Sequence, residues 1–371
     1  MNLDNNQLAF FELLRAGLWE KEARLSMFGA IDFMVVYQIA EEQSVVGLVA
    51  AGLEHVTDVK VPKEDVLQFV GSTLQLEQRN KTMNEFVGKL TEKLRKESIY
   101  ALLVKGQGIA QCYERPLWRA CGDVDLLLNA DDYAKAKKLL IPLATDVEQE
   151  YSHFKHQGMM INGWKVELHG TQHSRLSSRV DRQIDAVQEN TFTNGNVRSW
   201  RNGDTDVLIP APDNDVIFVF THILHHFFFE GIGLRQICDW CRLLWKYRKE
   251  IDVKGLAFRL DSMGITSEWK AFAMYAVEYM GMPVEAMPLY SEEAKWCNKA
   301  RKINTFILDV GNLGYNQRRD YSGMNYFSRK IKSFWDRLSD MLRHITIFPK
   351  DSIVFFGGVL RSGLYAAVRG E

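Results

Sequence analysis

A chain of 371 residues with 46 Lys+Arg against 47 Asp+Glu carries a formal charge of -1, and 46% of it is hydrophobic, with nine Trp and 21 Phe. That supply of apolar and aromatic side chains fills the cores of two or three domains and excludes a disordered, charge-solvated chain. The balanced charge also excludes a broad electrostatic grip on nucleic acid, so any phosphate handled here must be met by a local site.

Five scattered cysteines form an odd set in a long chain, which reads as reduced thiols in a cytoplasmic protein. The first residues carry no basic stretch followed by an apolar run, so no secretory signal is expected. The most apolar stretches are 216–229, interrupted by His222, His225 and His226, and 353–368, broken by Arg361. Both are too short or too polar to span a bilayer.

From Leu8 to Lys96 apolar residues recur at three and four positions, as in Leu8, Phe11, Leu14 and Leu18, and the pattern predicts helices throughout, the first capped by Asp4. Strands are then expected at 100–104, 124–128, 159–161 and 165–169, the last two joined through the Asn162-Gly163 turn as an antiparallel hairpin. Helices at 109–113 and 131–140 alternate with them, which implies a small mixed sheet with helices on one side. After Pro210 and Pro212 the helical period returns at 213–228, 234–248, 253–263, 268–280, 291–308 and 325–343. The expected organisation is a helical region at 1–97, an α/β core at 98–210 and a helical domain at 211–371. The fold class is α+β, a small mixed sheet flanked by N- and C-terminal helices.

The sharpest chemical feature is Cys121-Gly122-Asp123-Val124-Asp125-Leu126. Alternate strand residues share a face, so Asp123 and Asp125 lie together, opposite Val124 and Leu126. Two such carboxylates are costly to bury without a cation, and Mg²⁺ suits oxygen donors and retains phosphates and waters; a pair of solvated strand-end acids is the plainer alternative. Glu167 sits on its own strand with Lys165 and His169, opposite Trp164, Val166 and Leu168. Were that strand beside the first, three carboxylates would serve in-line phosphoryl displacement. Upstream, Lys105-Gly106-Gln107-Gly108 joins a strand to a helix, and glycines there let backbone amides approach an anion closely. Arg115 and Arg119 lie between the glycine turn and the acids as phosphate ligands or as ordinary surface arginines.

These elements resemble the nucleotidyltransferase superfamily typified by DNA polymerase beta. Lys105-Gly106, Tyr113, Pro116, Arg119 and Gly122-Asp123-Val124-Asp125-Leu126, followed by Val166-Glu167-Leu168-His169, are most similar to its bacterial branch of largely uncharacterised nucleotidyltransferases. Less specifically, His222, His225 and Gly233 to Asp239 are similar to its C-terminal helices. The resemblance implies a Mg²⁺-dependent transfer of a nucleoside monophosphate from an NTP to a hydroxyl acceptor, on a small molecule or a protein. Asp123, Asp125 and Glu167 would be the catalytic metal ligands. Lys105, Gly106, Gln107 and Gly108 would hold the nucleotide together with Arg119, His169 and Arg235. Gln107 stands where the superfamily places Gly or Ser, which leaves a catalytically silent nucleotide-binding or interaction module as the alternative.

His222, His225 and His226 fall at i, i+3 and i+4 of one helix and, with Asp239, raise a metal phosphohydrolase reading; the adjacent Phe227, Phe228 and Phe229 favour buried, hydrogen-bonded imidazoles. Cys238 and Cys241 have no second pair to complete a zinc site. Arg318, Arg319, Lys330, Lys332 and Arg337 read as a solvated basic face, and the apolar segment 353–365 as a docking segment.

Overall fold

The computed structural model describes residues 3–150, 155–316 and 323–357. Helix α1 (Asn5–Trp19) starts from Asp4, whose side chain accepts from the Gln7 amide while Gln7 Oε1 accepts from the Asp4 amide. This reciprocal cap satisfies two amides that a helix start leaves free. Then come α2 (Phe33–Glu42), α3 (Val46–Glu54) and the long α4 (Lys63–Lys96). Helices α1 and α3 touch backbone to backbone, since a Cβ on Gly17 would lie 1.8 Å from Leu48 O.

The sheet is built from β1 (Leu102–Val104), β2 (Asp123–Leu127), β3 (Asp146–Val147), β4 (His156–Ile161) and β5 (Trp164–His169), in the order β1-β2-β5-β4-β3. The short α5 (Gly106–Ala110) follows β1, and α6 (Ala130–Leu140), capped by Asn129, follows β2. Only the β2–β5 pair is parallel. Asn162 and Gly163 have φ of 51° and 78°, the left-handed pair that a two-residue hairpin turn demands. Strand β4 begins three residues earlier than the sequence pattern predicts. Strand β3, helix α7 (Ser178–Thr193) and the hairpin of β6 (Val197–Asn202) and β7 (Thr205–Pro210) are additions. Arg198, Ser199, Arg201 and Asn202 mask the alternation in β6.

Val124, Leu126, Val166 and Leu168 cover one sheet face and pack on Phe86 and Leu90 of α4 and on Tyr133 and Leu140 of α6. Asp123, Asp125, Glu167 and His169 line the other face, over which lie α8 (Pro212–Phe229) and α9 (Leu234–Lys246). Helices therefore flank both faces, not one as the element order implied. A larger core joins α1–α3 to α8, α9, α10 (Val253–Met263), α11 (Thr266–Met280) and α12 (Ala294–Val310) around Phe227, Trp240, Trp269 and Phe272. Trp19 Nε1 donates to Met280 O across it at 2.6 Å.

Helix α13 (Tyr326–Ile345) is followed by a helical stretch at 349–357, where Phe355 packs edge-on against Phe228. The start of the apolar C-terminal segment thus docks on the helical body, while its remainder from 358 lies outside the described residues, as do Arg318, Arg319 and the side chains of Lys330 and Arg337. Among the described residues no helix is long and apolar enough to cross a membrane.

Candidate functional site

Register assembles the acids. In the parallel β2–β5 pair Asp125 faces Glu167 and Asp123 faces Lys165; in the β4–β5 hairpin His156 faces His169. With a side-chain period of two, all six project from one face, into a cavity of about 450 Å³ roofed by α8 and α9.

The carboxylates differ in what meets them. Asp125 is buried; its Oδ1 accepts from His169 Nε2 at 2.7 Å and lies 3.4 Å from Lys105 Nζ. Burial alone would raise its pKa, but the Lys105 charge and the His169 bond hold it well below the usual carboxylate range. Glu167 pairs through Oε1 with Lys165 Nζ at 2.7 Å and through Oε2 with His156 Nε2 at 3.2 Å. Against a burial that raises it, the bonds from His156 and Lys165 bring its pKa to about 2. Asp123 has no hydrogen bond or ion pair to its carboxylate among the described residues. The neighbouring Asp125 charge, then burial, then Glu167 push it up to about 6. Burial also lowers the pKa of His169, so its ring is neutral near pH 7.

Lys105 and Gly106 make the strand-to-helix turn with φ of 58° and 42°. Gly106 lines the cavity, but Gln107 and Gly108 do not. Gln107 Nε2 donates to Asn80 Oδ1 on α4 at 2.8 Å, and Gly108 is pressed against Ile209 and Leu103. Of the arginines expected at phosphate, Arg115 pairs with Glu20 and Glu54 away from the cavity. Arg119 reaches the cavity wall but gives Nε and Nη2 to Asp239, which also accepts from Tyr113 Oη at 2.7 Å. This pairing ties the loop before β2 to α9. Arg235 is different: it lines the cavity, donates only a 3.3 Å bond to Ala120 O, leaves Nε without a partner, and meets no carboxylate among the described residues.

The histidines of α8 share the cavity. His225 Nδ1 bonds Ser174 O at 2.7 Å, His222 and His226 bond each other at 2.9 Å, and Glu230 lies 2.9 Å from His226 Nδ1. Burial holds His222 and His226 below the usual imidazole range. Asp239, committed to Arg119 and Tyr113, is not part of this group. Cys238 and Cys241 are both buried inside α9, free of disulfides.

Sequence reading missed His156 and Lys165 as site residues. The Asn162-Gly163 turn contains the signal for His156, since counting outward from Ile161 and Trp164 pairs it with His169.

A curated relative, Toxin Afp18 of Yersinia ruckeri, is 28% identical over 107 residues, which are 28% of this chain and 5% of the toxin; the chain thus spans a small fraction of that relative's length. No solved structure matches. The family of uncharacterised nucleotidyltransferases matches residues 29–281, a span that takes in the sheet, the cavity and the helices on both sides. With well over half of its length matched, the chain belongs to that family.

Proposed function

We propose that the protein is a Mg²⁺-dependent nucleotidyltransferase that moves a nucleoside monophosphate from an NTP to a hydroxyl acceptor, releasing pyrophosphate. The observation that carries this reading is that one cavity holds a carboxylate, Asp123, and a buried guanidinium, Arg235, that feel each other's charge yet make no direct ion pair among the described residues. Each is buried without a direct partner, and a metal–triphosphate complex supplies one to both.

The donor set fits Mg²⁺: Asp123 and Asp125 offer oxygens on one strand face, and Glu167 adds one from the next strand. When bound, the ion would polarise the attacking and leaving oxygens of an in-line displacement at the α-phosphorus. Lys105 and Arg235 would bind phosphate oxygens and offset charge that builds on the departing pyrophosphate. His169, donating through Nε2, orients the Asp125 carboxylate toward the ion. Five unpaired thiols, four of them buried, support a reducing compartment such as the cytoplasm.

Turnover of NTP labelled at the α-phosphate tests the proposal, with Asp123→Ala and Asp125→Ala as controls. A drop of about 10³-fold or more is expected in both variants; equal labelling by wild type and variants would sink the reading. NTP binding by calorimetry with no product from any acceptor would favour the silent module instead, in keeping with Gln107 turned toward Asn80.

A further inference from the structure

Among the described residues, His156, Glu167 and His169 are the set whose metal-ligating atoms all lie within 4.8 Å of one another; the three carboxylates do not converge as closely. Glu167 Oε2 is 3.2 Å from His156 Nε2 and 3.7 Å from His169 Nε2. Ligands about 2.0–2.2 Å from a shared ion stand roughly 3–3.5 Å apart. The other oxygen, Oε1, is held by Lys165 at 2.7 Å, so Oε2 is the one presented to the imidazoles. All three side chains are half-buried in the cavity wall, on two hydrogen-bonded strands that fix their spacing.

We propose that His156, Glu167 and His169 form a second metal subsite, selective for a divalent transition ion such as Zn²⁺ or Mn²⁺ over Mg²⁺. Two imidazoles and one carboxylate are donors that Mg²⁺ rarely takes and that Zn²⁺ favours. In the metal-free protein His169 Nε2 donates to Asp125 Oδ1 at 2.7 Å, so an ion taking that nitrogen would displace its proton and part this contact. Asp125 thus adjoins this ion as well as the oxygen-rich position beside Asp123, and Glu167 is common to both. The subsite rests on its own geometry; its part in nucleotidyl transfer rests on the function proposed above.

The test is titration of EDTA-stripped, full-length protein free of any histidine tag with Zn²⁺, Mn²⁺ and Mg²⁺. Affinity is expected to fall in that order, by about tenfold or more at each step, and His156→Ala is expected to weaken Zn²⁺ binding by about tenfold or more. Should that variant unfold, pulsed electron paramagnetic resonance of the Mn²⁺-loaded wild type still decides, because an imidazole ligand imprints nitrogen modulation on the spectrum. Absence of that modulation, or equal Zn²⁺ affinity in wild type and a folded His156→Ala, overturns the subsite. Asp123→Ala separates the two proposals, since it should abolish NTP turnover and keep Zn²⁺. A nitrogen-ligated ion with no NTP turnover refutes the transferase and keeps the subsite; Mg²⁺-driven turnover without such an ion does the reverse.

Discussion

Asp239 and Asp123 are acids on opposite walls of one cavity, and they are treated differently. Asp239 accepts two bonds from Arg119 and one from Tyr113, so its charge is met by a cation in fork geometry and by a hydroxyl. Asp123 lies beside Asp125 and Glu167, feels Lys105 and Arg235 only at a distance, and meets no donor directly among the described residues. The arginines divide the same way, Arg119 being paired and Arg235 not. A buried carboxylate and guanidinium that satisfy each other hold a fold together; those left apart are, on the function proposed above, the ones a ligand would meet.

The largest effect should come from breaking the closed pair. Arg119→Ala leaves Asp239 buried without its cation, and a loss of about 3–5 kcal/mol is expected in urea unfolding followed by near-ultraviolet circular dichroism. A change within about 0.5 kcal/mol would mean that solvent reaches Asp239 and that the two acids do not differ in this way.

The open acid should respond with the opposite sign. A carboxyl with its folded pKa raised to about 6, against an ordinary value of 3.8, binds its proton more tightly in the folded state. Its ionisation therefore costs stability above pH 6, the cost shrinks as pH falls through that window, and it vanishes below about 4. Asp123→Asn should then stabilise the metal-free protein by roughly 2–3 kcal/mol at pH 8 and by nothing at pH 4, while turnover is lost. Thermal melts across that range check the sign, and a variant less stable than wild type at pH 8 would show that Asp123 already has a cation.

The same reasoning applied to arginine gives a smaller effect, read in binding. Arg235→Met removes a cation that no carboxylate meets and fills its place with a side chain of similar length. Folding stability should hold within about 1 kcal/mol, and KM for NTP should rise about tenfold or more, the worth of a charge-assisted bond. If Arg235→Met unfolds the protein as Arg119→Ala does, the two arginines are equivalent and the open wall is structural.

How much of this contrast was legible beforehand depended on sequence distance. Asp123, Asp125 and Glu167 stood out because strand alternation is local, and the Asn162-Gly163 turn located a hairpin without further help. Their meeting needed the parallel β2–β5 register, which joins strands separated by α6 and two further strands and leaves no local trace. His156 is within reach of a register count, but the apolar pattern of β4 starts only at Met159 and leaves it out. The Arg119–Asp239 bond spans 120 residues, and nothing near either residue distinguishes it from the unpaired Arg235. The strand-to-helix turn and the family resemblance pointed to Gln107 and Gly108 as phosphate contacts, yet the turn into α5 carries both toward the packed side, where Asn80 and Ile209 are.

The smallest effect concerns the turn itself. Lys105 has φ 58° and ψ −147°, a region that side chains with a Cβ avoid at a cost of order 1–3 kcal/mol. Lys105→Gly should relieve that strain but give back about 0.5–1 kcal/mol to the greater freedom of glycine in the unfolded chain. It also removes the Nζ that lies 3.4 Å from Asp125. A net gain of about 1 kcal/mol or less is expected, with NTP turnover reduced, because the residue is kept for its ammonium and not for its backbone. A clear loss of stability would instead mean that the Lys105–Asp125 contact outweighs the strain, and the cavity's sheet wall would then be more nearly closed than its opposite.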